Sequence, residues 1–415
     1  MPRIVFVNRY FHPDHSATSQ MLSDLAFALA SRGYEIAVVT GRIGYESGGA
    51  ELARRETIAG VAVERVWTSR FGRGSLYGRV ADYLTFYLSS LVFLLRVVRV
   101  GDIVVAKTDP PMLSVLAAPV VRLKGARLVN WLQDVFPEVA AAVGVGTGAG
   151  GRTLYAMLRR LRDRSLRRAA VNVVLGERMA ERVAAMGVPR GKIRIICNWA
   201  DGEIVRPVAR DRNALRRSWG LGDKFVVGYS GNLGRAHEFE TFLQAIAEIE
   251  RMPGTPDVVW LFIGGGVSQA AMMREVARRG LASVMCLPYQ PRETLGESLS
   301  AADVHLVTLR VGLEGLIVPS KIYGVMAAGR PTIFVGDGDG EVARTLRTFD
   351  CGDTVPEGDG PALTAAVLRL AAQPGECSRL GANARDAFDQ HYALPHAVGQ
   401  WCELIEALRT GTPAR

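Results

Sequence analysis

Apolar and polar positions along the chain fall into short apolar runs separated by stretches of helical spacing. Arg3 to Asn8 is apolar enough for a buried strand, and the loop RYFHPDHSATSQ follows it. From Ser19 to Arg32, the residues Leu22, Leu25, Ala26, Leu29 and Ala30 recur on one helix face, and Gly33 ends the run. EIAVVTG (35–41) is a second strand. GDIVVAK, an apolar stretch led by Pro110–Pro111, ARLVNWLQD, AVNVVLG and KIRIICN continue the series. Short apolar strands alternating with helices predict a parallel sheet with helices packed on it.

The pattern restarts after residue 200. KFVVGYSGN, VVWLFIGGG, SVMCLPY, DVHLVTL and PTIFVGD read as strands. EFETFLQAIAEIE, AAMMREVARRG, RETLGESLSAA and PSKIYGVMAAG read as the helices between them. A chain of 415 residues suits two domains. Two α/β units are therefore predicted, with a linker near 198–212 and ligand loops at the carboxyl ends of the strands.

One apolar run is ambiguous. Tyr83 to Leu95 carries no charge but has only 13 residues, too few to span about 30 Å of hydrocarbon. Arg73 and Arg79 precede it, and Arg96 and Arg99 follow it. It fits a core helix, and equally a helix lying in a membrane interface with its arginines on anionic lipid. The basic run RRLRDRSLRRAA (159–170) fits the second reading.

Charge sharpens this picture. The net charge is +9, but residues 1–200 carry +13 and the remainder −4. The first half is thus expected to meet an anionic partner: lipid head groups, a lipid diphosphate or nucleic acid. No nucleic-acid module or interleaved aromatics accompany the arginines, which argues against nucleic acid. Hydrophobic residues at 48% and charged ones at 22% let both halves bury a core. The five cysteines are scattered, without CxxC or histidine at ligand spacing. They read as small core residues in a reducing compartment, with no metal site. MPRIVFVN enters a strand without a charged leader and cleavage site, so a cytoplasmic location is expected.

Two stretches carry candidate chemistry. GYSGNLGRAHEFETF (228–242) puts a glycine turn between strand and helix, where backbone amides suit a phosphate, and Arg235 and His237 could add charge. IGGG (263–266) repeats the device. In GLEGLIVPSKIYGVMAAGRP (312–331), Glu314, the Gly315–Leu316 amides and Lys321 lie within eight positions. A nucleotide-sugar site needs such a set: a carboxylate for sugar hydroxyls, amides near the diphosphate, and a cation for the leaving-group charge. Glu314 and Lys321 also fit a surface ion pair, which would contribute about 0–1 kcal/mol. In the first half, Asp134 ends a predicted strand, where it could face a cleft as a catalytic group. It could equally cap the helix that follows. Glu138 lies one turn on, Asp109 precedes the proline pair, and His12 and His15 sit in the first loop.

These segments together resemble the family-four GT-B glycosyltransferases, in the branch that builds colanic acid, O-antigen and other exopolysaccharides. NRYFHPDHSATSQMLSDLAFALASRGYEIAVVTG resembles that branch's opening strand, acceptor-side loop and first helix. VNWLQDVFPE (129–138) resembles its LQDxxPE stretch, and ICNWAD (196–201) its linker motif. GYSGNLG, FIGGG, VPSKIYGVMAAGRP and LGANAR (380–385) follow in the family's order. The resemblance implies an α/β GT-B fold of two Rossmann-like doubly wound domains facing a central cleft. Residues 1–200 would form the acceptor side, 201–388 the nucleotide-sugar domain, and 389–415 a helix crossing back to the first domain.

It further implies a retaining, metal-independent transfer without cofactor, assembled by domain closure. The sugar would pass from a UDP- or GDP-linked donor to a saccharide acceptor on a lipid diphosphate. Asn232 and Arg235 fall at the diphosphate, and Ser230 and Gly231, with Gly264 and Gly265 in the neighbouring turn, count among the donor-binding residues. Tyr289 falls at the nucleobase. Glu314, Gly315, Leu316 and Lys321 form the donor block, Glu314 matching the first carboxylate of the EX7E motif. The second carboxylate is replaced by Gly324, and the residue eight after Glu314 is Ile322. That departure keeps open a catalytically silent partner of an envelope transferase complex. A nucleotide-sugar 2-epimerase of the same architecture is the other alternative. A dinucleotide oxidoreductase fits poorly, since no GxGxxG follows the first strand.

Overall fold

The computed structural model describes residues 3–14, 16–44, 51–72, 76–145 and 151–411. They form two compact units, Met1–Cys197 with Ala397–Arg415, and Asn198–His396.

The first unit is built on strands β1 (Ile4–Val7), β2 (Ile36–Gly41), β3 (Arg55–Ile58), β4 (Val61–Val66), β5 (Ile103–Lys107), β6 (Arg127–Trp131), β7 (Val171–Val174) and β8 (Ile193–Ile195). Their spatial order is β3-β4-β2-β1-β5-β6-β7-β8. All neighbours are parallel except the β3–β4 hairpin. The helices between them include α1 (Ala17–Ser31), α2 (Leu76–Val97), α3 (Leu113–Leu123), α4 (Glu138–Ala142) and α5 (Gly151–Arg168).

Strand side chains alternate between two cores. Val5 and Val7 pack with Phe86 and Leu94 of α2 and with Leu113, Ala117 and Val120 of α3. Phe6 points the other way, its ring centroid 6.5 Å from Trp131 and 6.4 Å from Trp401. Trp401 lies on the last helix, Leu394–Thr410, so this chain end is anchored in the first unit's core. Burying such a side chain contributes roughly 1.5–3 kcal/mol.

The ambiguous apolar run is the middle of α2, a helix longer than the charge-free segment. By length and composition α2 could cross a membrane. Phe86 and Leu94 are nevertheless committed to the core, and buried Asp82 accepts from Ser69 Oγ at 2.7 Å and from Phe71 N at 3.0 Å. Arg73 and His15 lie outside the described residues.

The second unit holds β9 (Phe225–Asn232), β10 (Val258–Gly265), β11 (Val284–Leu287), β12 (Val304–Thr308), β13 (Thr332–Val335) and β14 (Gly352–Val355). They run all-parallel in the order β11-β10-β9-β12-β13-β14. Both faces are covered, which is why β12 and β13 are buried at every position. The expected boundary at 389 moves to 397. Residues 389–396 stay with the second unit, where the Tyr392 ring lies 5.1 Å from that of Tyr323.

Each sheet starts in the middle and is extended first to one side and then to the other. The reversal falls between β1 and β5 in the first unit and between β9 and β12 in the second. Ligands of such sheets bind beyond the carboxyl ends of the strands at that reversal.

Candidate functional site

In the second unit, the carboxyl ends of β9 and β10 stay in register as far as Gly231↔Gly264 and Asn232↔Gly265. Gly264 has φ +130°, and a Cβ there would stand 2.4 Å from the Gly231 carbonyl oxygen. Only glycine fits so close a backbone approach. The space is filled by Tyr289, whose ring would lie 3.2 Å from a Cβ on Gly264 and 3.1 Å from one on Gly265. Tyr289 thus rests on the glycine backbone while remaining 56% exposed, an aromatic plate of the kind that stacks on planar groups.

Lys321 begins the helix Lys321–Ala327 and reaches back over β9. Its Nζ lies 4.0 Å from the centre of the Tyr229 ring and donates to the Tyr229 hydroxyl and, at 3.3 Å, to the Asn232 carbonyl. Tyr229 Oη in turn donates to that carbonyl at 3.0 Å. Among the described residues no carboxylate pairs with Lys321. Burial without a counter-ion pushes its ammonium down to about 7. The site therefore holds a cation whose charge awaits an anion.

His237 does not add the positive charge expected of it. Burial, then the nearby Lys321, push it down to about 3. Its Nδ1 lies 2.7 Å from the Thr308 carbonyl, which can only accept, so Nδ1 carries the hydrogen and Nε2 keeps a lone pair. Thr308 ends β12 at the sheet reversal, and its own Oγ1 is buried without a partner. Arg235 is exposed, and no acidic side chain pairs with it among the described residues. Asn232 is exposed beside it, and Ser230 and Gly231 are half-buried.

The Glu314 block is arranged differently from a simple donor cradle. Glu314 is buried, and its Oε1 accepts from Glu341 N at 2.9 Å, at the start of the helix Glu341–Phe349. The carboxylate thereby caps that helix. The Leu316 amide is spent on the Leu313 carbonyl at 2.9 Å, inside the turn that Gly315 (φ +73°) allows. The structure thus brings Tyr289, Gly264, Gly231, Asn232 and Lys321 around the end of β9, and gives Glu314 and Leu316 tasks in shaping the loop.

In the first unit, the equivalent position holds Asp109 and Asp134. Thr18, in the first turn of α1, lies with Oγ1 3.3 Å from Asp109 Oδ2. Lys107, fully buried, donates to the Thr18 carbonyl at 2.7 Å and lies 4.1 Å from the Trp131 ring centre. Burial, then the charge of Asp109, push Asp134 up to about 7, opposed by a bond from Thr108. Asp134 Oδ1 is buried with no partner. It caps no helix: α4 begins after Pro137 with no side-chain cap. Glu138 is committed elsewhere, gripped in two bonds by buried Arg162 at 2.9 and 2.7 Å. His12 is exposed, its ring 5.7 Å from Phe27.

Comparisons with known proteins agree on one family. Residues 17–199 match the Glycosyl transferase 4-like domain and residues 224–373 the Glycosyl transferases group 1 domain. The probable glycosyltransferase WbjE of Pseudomonas aeruginosa is 30% identical over 71% of this chain and 72% of its own. The chain belongs to the family-four GT-B glycosyltransferases. The putative colanic acid biosynthesis glycosyl transferase WcaI of Escherichia coli is 28% identical over 55% of this enzyme and 56% of its own length. Two solved structures share the glycosyltransferase's fold. Sucrose-phosphate synthase from Thermosynechococcus elongatus has a TM-score of 0.78 at 17% identity, covering 99% of this chain and 100% of that one. HepE of Anabaena, in complex with UDP-glucose, has a TM-score of 0.72 at 16% identity, covering 98% and 100%.

Gly324 acquires meaning in this glycosyltransferase. It lies three residues after Lys321 on the same helix, the spacing at which a glutamate would pair with the lysine. Glycine there leaves the ammonium unneutralised. A Cβ at 324 would meet only Leu299 Cδ1, at 3.4 Å, so space alone does not exclude a side chain. The contributions of Tyr229, Thr308 and Asn232's carbonyl had no sequence signal. Tyr229 reads as one more strand residue, and Thr308 as the end of an apolar run.

Proposed function

We propose that this glycosyltransferase transfers a sugar, with retention of configuration and without a metal ion, from a UDP- or GDP-linked donor to a saccharide carried on a lipid diphosphate. The product would be an envelope or exopolysaccharide intermediate, made on the cytoplasmic face of the plasma membrane. The observation that carries the reading is Lys321, a cation without a counter-charge at the reversal of the second sheet. Beside it lies the Tyr289 plate on Gly264 and Gly265. A diphosphate at Lys321 and Arg235 would put the base within reach of that plate. The names of WbjE and WcaI and the UDP-glucose in the HepE structure support the same reading.

Chemically, the sugar C1–O bond to the diphosphate breaks and a C1–O bond to the acceptor hydroxyl forms. Lys321 and Arg235 offset the charge that grows on the departing diphosphate, which takes up the hydroxyl proton. His237 Nε2, held as an acceptor, receives a hydroxyl of the donor. Asp134, poised near neutrality beside Asp109, orients the acceptor hydroxyl from the first unit.

The test is a thermal-shift screen of nucleotides and nucleotide sugars against the full chain. A donor binds only the folded state and raises Tm. Lys321→Ala should abolish the shift. If no uridine or guanosine diphosphate sugar raises Tm, the reading fails. If UDP-GlcNAc alone is epimerised without acceptor, the epimerase reading replaces it.

A further inference from the structure

The first unit carries a second cavity that the transfer reaction does not use. About 390 Å³ in volume, it lies where the ends of β2 and β4 meet α2, and is lined by Arg42, Arg54, Arg65, Arg96 and Trp67 among others. Arg65 is wholly buried, bonded to the His12 carbonyl at 2.9 Å, to Ala53 and to Glu56, yet its Nε has no partner. Arg42 also has a buried Nε without a partner, while its Nη2 reaches Glu51 at 3.2 Å. Arg54 and Arg96 are exposed, with no carboxylate paired to either among the described residues. Counting their neighbours, six arginines (42, 54, 55, 65, 70, 96) face three glutamates, Glu51, Glu56 and Glu64. Such a pocket suits an anion with several oxygen acceptors, because guanidinium groups bind phosphate in pairs of parallel bonds.

The pocket opens beside an uncovered apolar surface. Helix α2 buries Asp82, Phe86, Ser90 and Leu94 on one side. On the other, Leu84 is 60% exposed and Leu88 64% exposed, in line with Tyr77, Val80, Val92 and Leu95. These six recur every three or four residues, so they form one stripe along about 30 Å of helix. Leu88 and Val92 also line the pocket. Trp67, which lines the pocket, is 57% exposed, and Phe71, near the start of α2, is 71% exposed. Helix α5, whose Leu154, Met157 and Leu161 are exposed among its arginines, packs on α3, which packs on α2. Apolar stripe, exposed aromatics and flanking arginines together have the chemistry of a lipid interface.

We propose that the arginine pocket binds the headgroup phosphate of an anionic phospholipid, whose acyl chains lie along the exposed stripe of α2. The bilayer is chosen over a protein partner because the surface combines a continuous apolar stripe with unpaired guanidinium charge. A protein interface usually depletes its core of charge. The inference deepens the proposal that the acceptor is lipid-borne, and specifies how the enzyme meets the membrane that holds it.

The experiment is flotation of the full chain with vesicles of phosphatidylcholine alone or mixed with phosphatidylglycerol, at low and physiological salt. The expected result is binding that depends on phosphatidylglycerol. Arg54→Gln with Arg96→Gln should weaken it about 30-fold, the loss of two arginines near an anionic leaflet. Leu84→Ser with Leu88→Ser should weaken attachment at both salt concentrations. The UDP-induced rise in Tm checks that each variant is folded and separates this result from the donor assignment. Absence of binding to phosphatidylglycerol vesicles overturns the proposal. So does wild-type binding by the double arginine variant, which would move the contact to α5.

Discussion

Lys321 Nζ lies 4.0 Å from the ring centre of Tyr229 and donates to its hydroxyl, so among the described residues a π face and neutral oxygens hold this ammonium. That relationship makes the charge of Lys321 conditional. Pushed down to about 7 by burial, it is largely neutral in the empty protein at about pH 8. A bound diphosphate favours the ammonium and raises it again. Binding above neutrality should therefore take up a proton, and affinity should fall as pH climbs from about 7 towards the bound-state value. Lys321→Arg, charged throughout, should remove this dependence. Calorimetry of UDP binding in two buffers of different ionisation enthalpy reads the uptake. Equal heats in both would sink the idea. Lys321→Ala should lose roughly 10–100-fold in affinity, as for a hydrogen bond to a charged group.

Tyr289 should contribute to the nucleoside half of that affinity. Its ring packs over Gly264 and Gly265, and the residue is more than half exposed. Tyr289→Phe should bind UDP like wild type, whereas Tyr289→Ala should lose about tenfold, the worth of one aromatic stack. Equal affinities for all three would remove the plate from the site.

Glu314→Ala is expected to affect stability before chemistry. Oε1 accepts from Glu341 N, and a Cβ on Gly340 would stand 2.5 Å from Oε2. The carboxylate thus caps the helix Glu341–Phe349 in a close-fitting loop. Losing it should cost about 1 kcal/mol, with Glu314→Gln costing less because the amide oxygen can still accept. Urea denaturation decides, and unchanged stability in the alanine variant would show that the cap is idle.

Much of this arrangement was legible in the chain. The restart of the strand pattern after residue 200 gave two sheets. The glycines near 231 and 264 and the Glu314–Lys321 block fall at or after the carboxyl ends of β9, β10 and β12. Sequence could not show how those blocks are wired. His237 and Thr308 are 71 residues apart and meet only because β9 and β12 are neighbours. Histidine in a polar turn suggested charge, and the tertiary burial that removes it is invisible locally. The periodicity of α2 predicted a helix but not which face stays uncovered, since its exposed leucines look like its buried ones. Glu138 resembled a second cleft carboxylate because its partner Arg162 lies on another helix, α5.

Asp134 carries the prediction that ties the first unit to pH. Burial and the neighbouring charge of Asp109 raise it from the ordinary 3.8 to about 7, so folding favours its protonated form. Its contribution to stability is complete below about pH 4 and is lost as pH rises through about 7. Asp134→Asn should therefore match wild type in Tm near pH 4 and exceed it increasingly towards neutrality. Asp109→Asn, by removing the like charge, should lower the Asp134 value and move the acidic limb of the transfer profile to lower pH. If Asp134 also orients the acceptor, Asp134→Asn should reduce kcat while leaving the affinity for UDP unchanged, since the nucleotide site proposed above lies in the other unit. A parallel loss of UDP binding would instead mean that the substitution disturbs the whole chain. A Tm advantage that does not grow with pH would mean that Asp134 is ionised throughout.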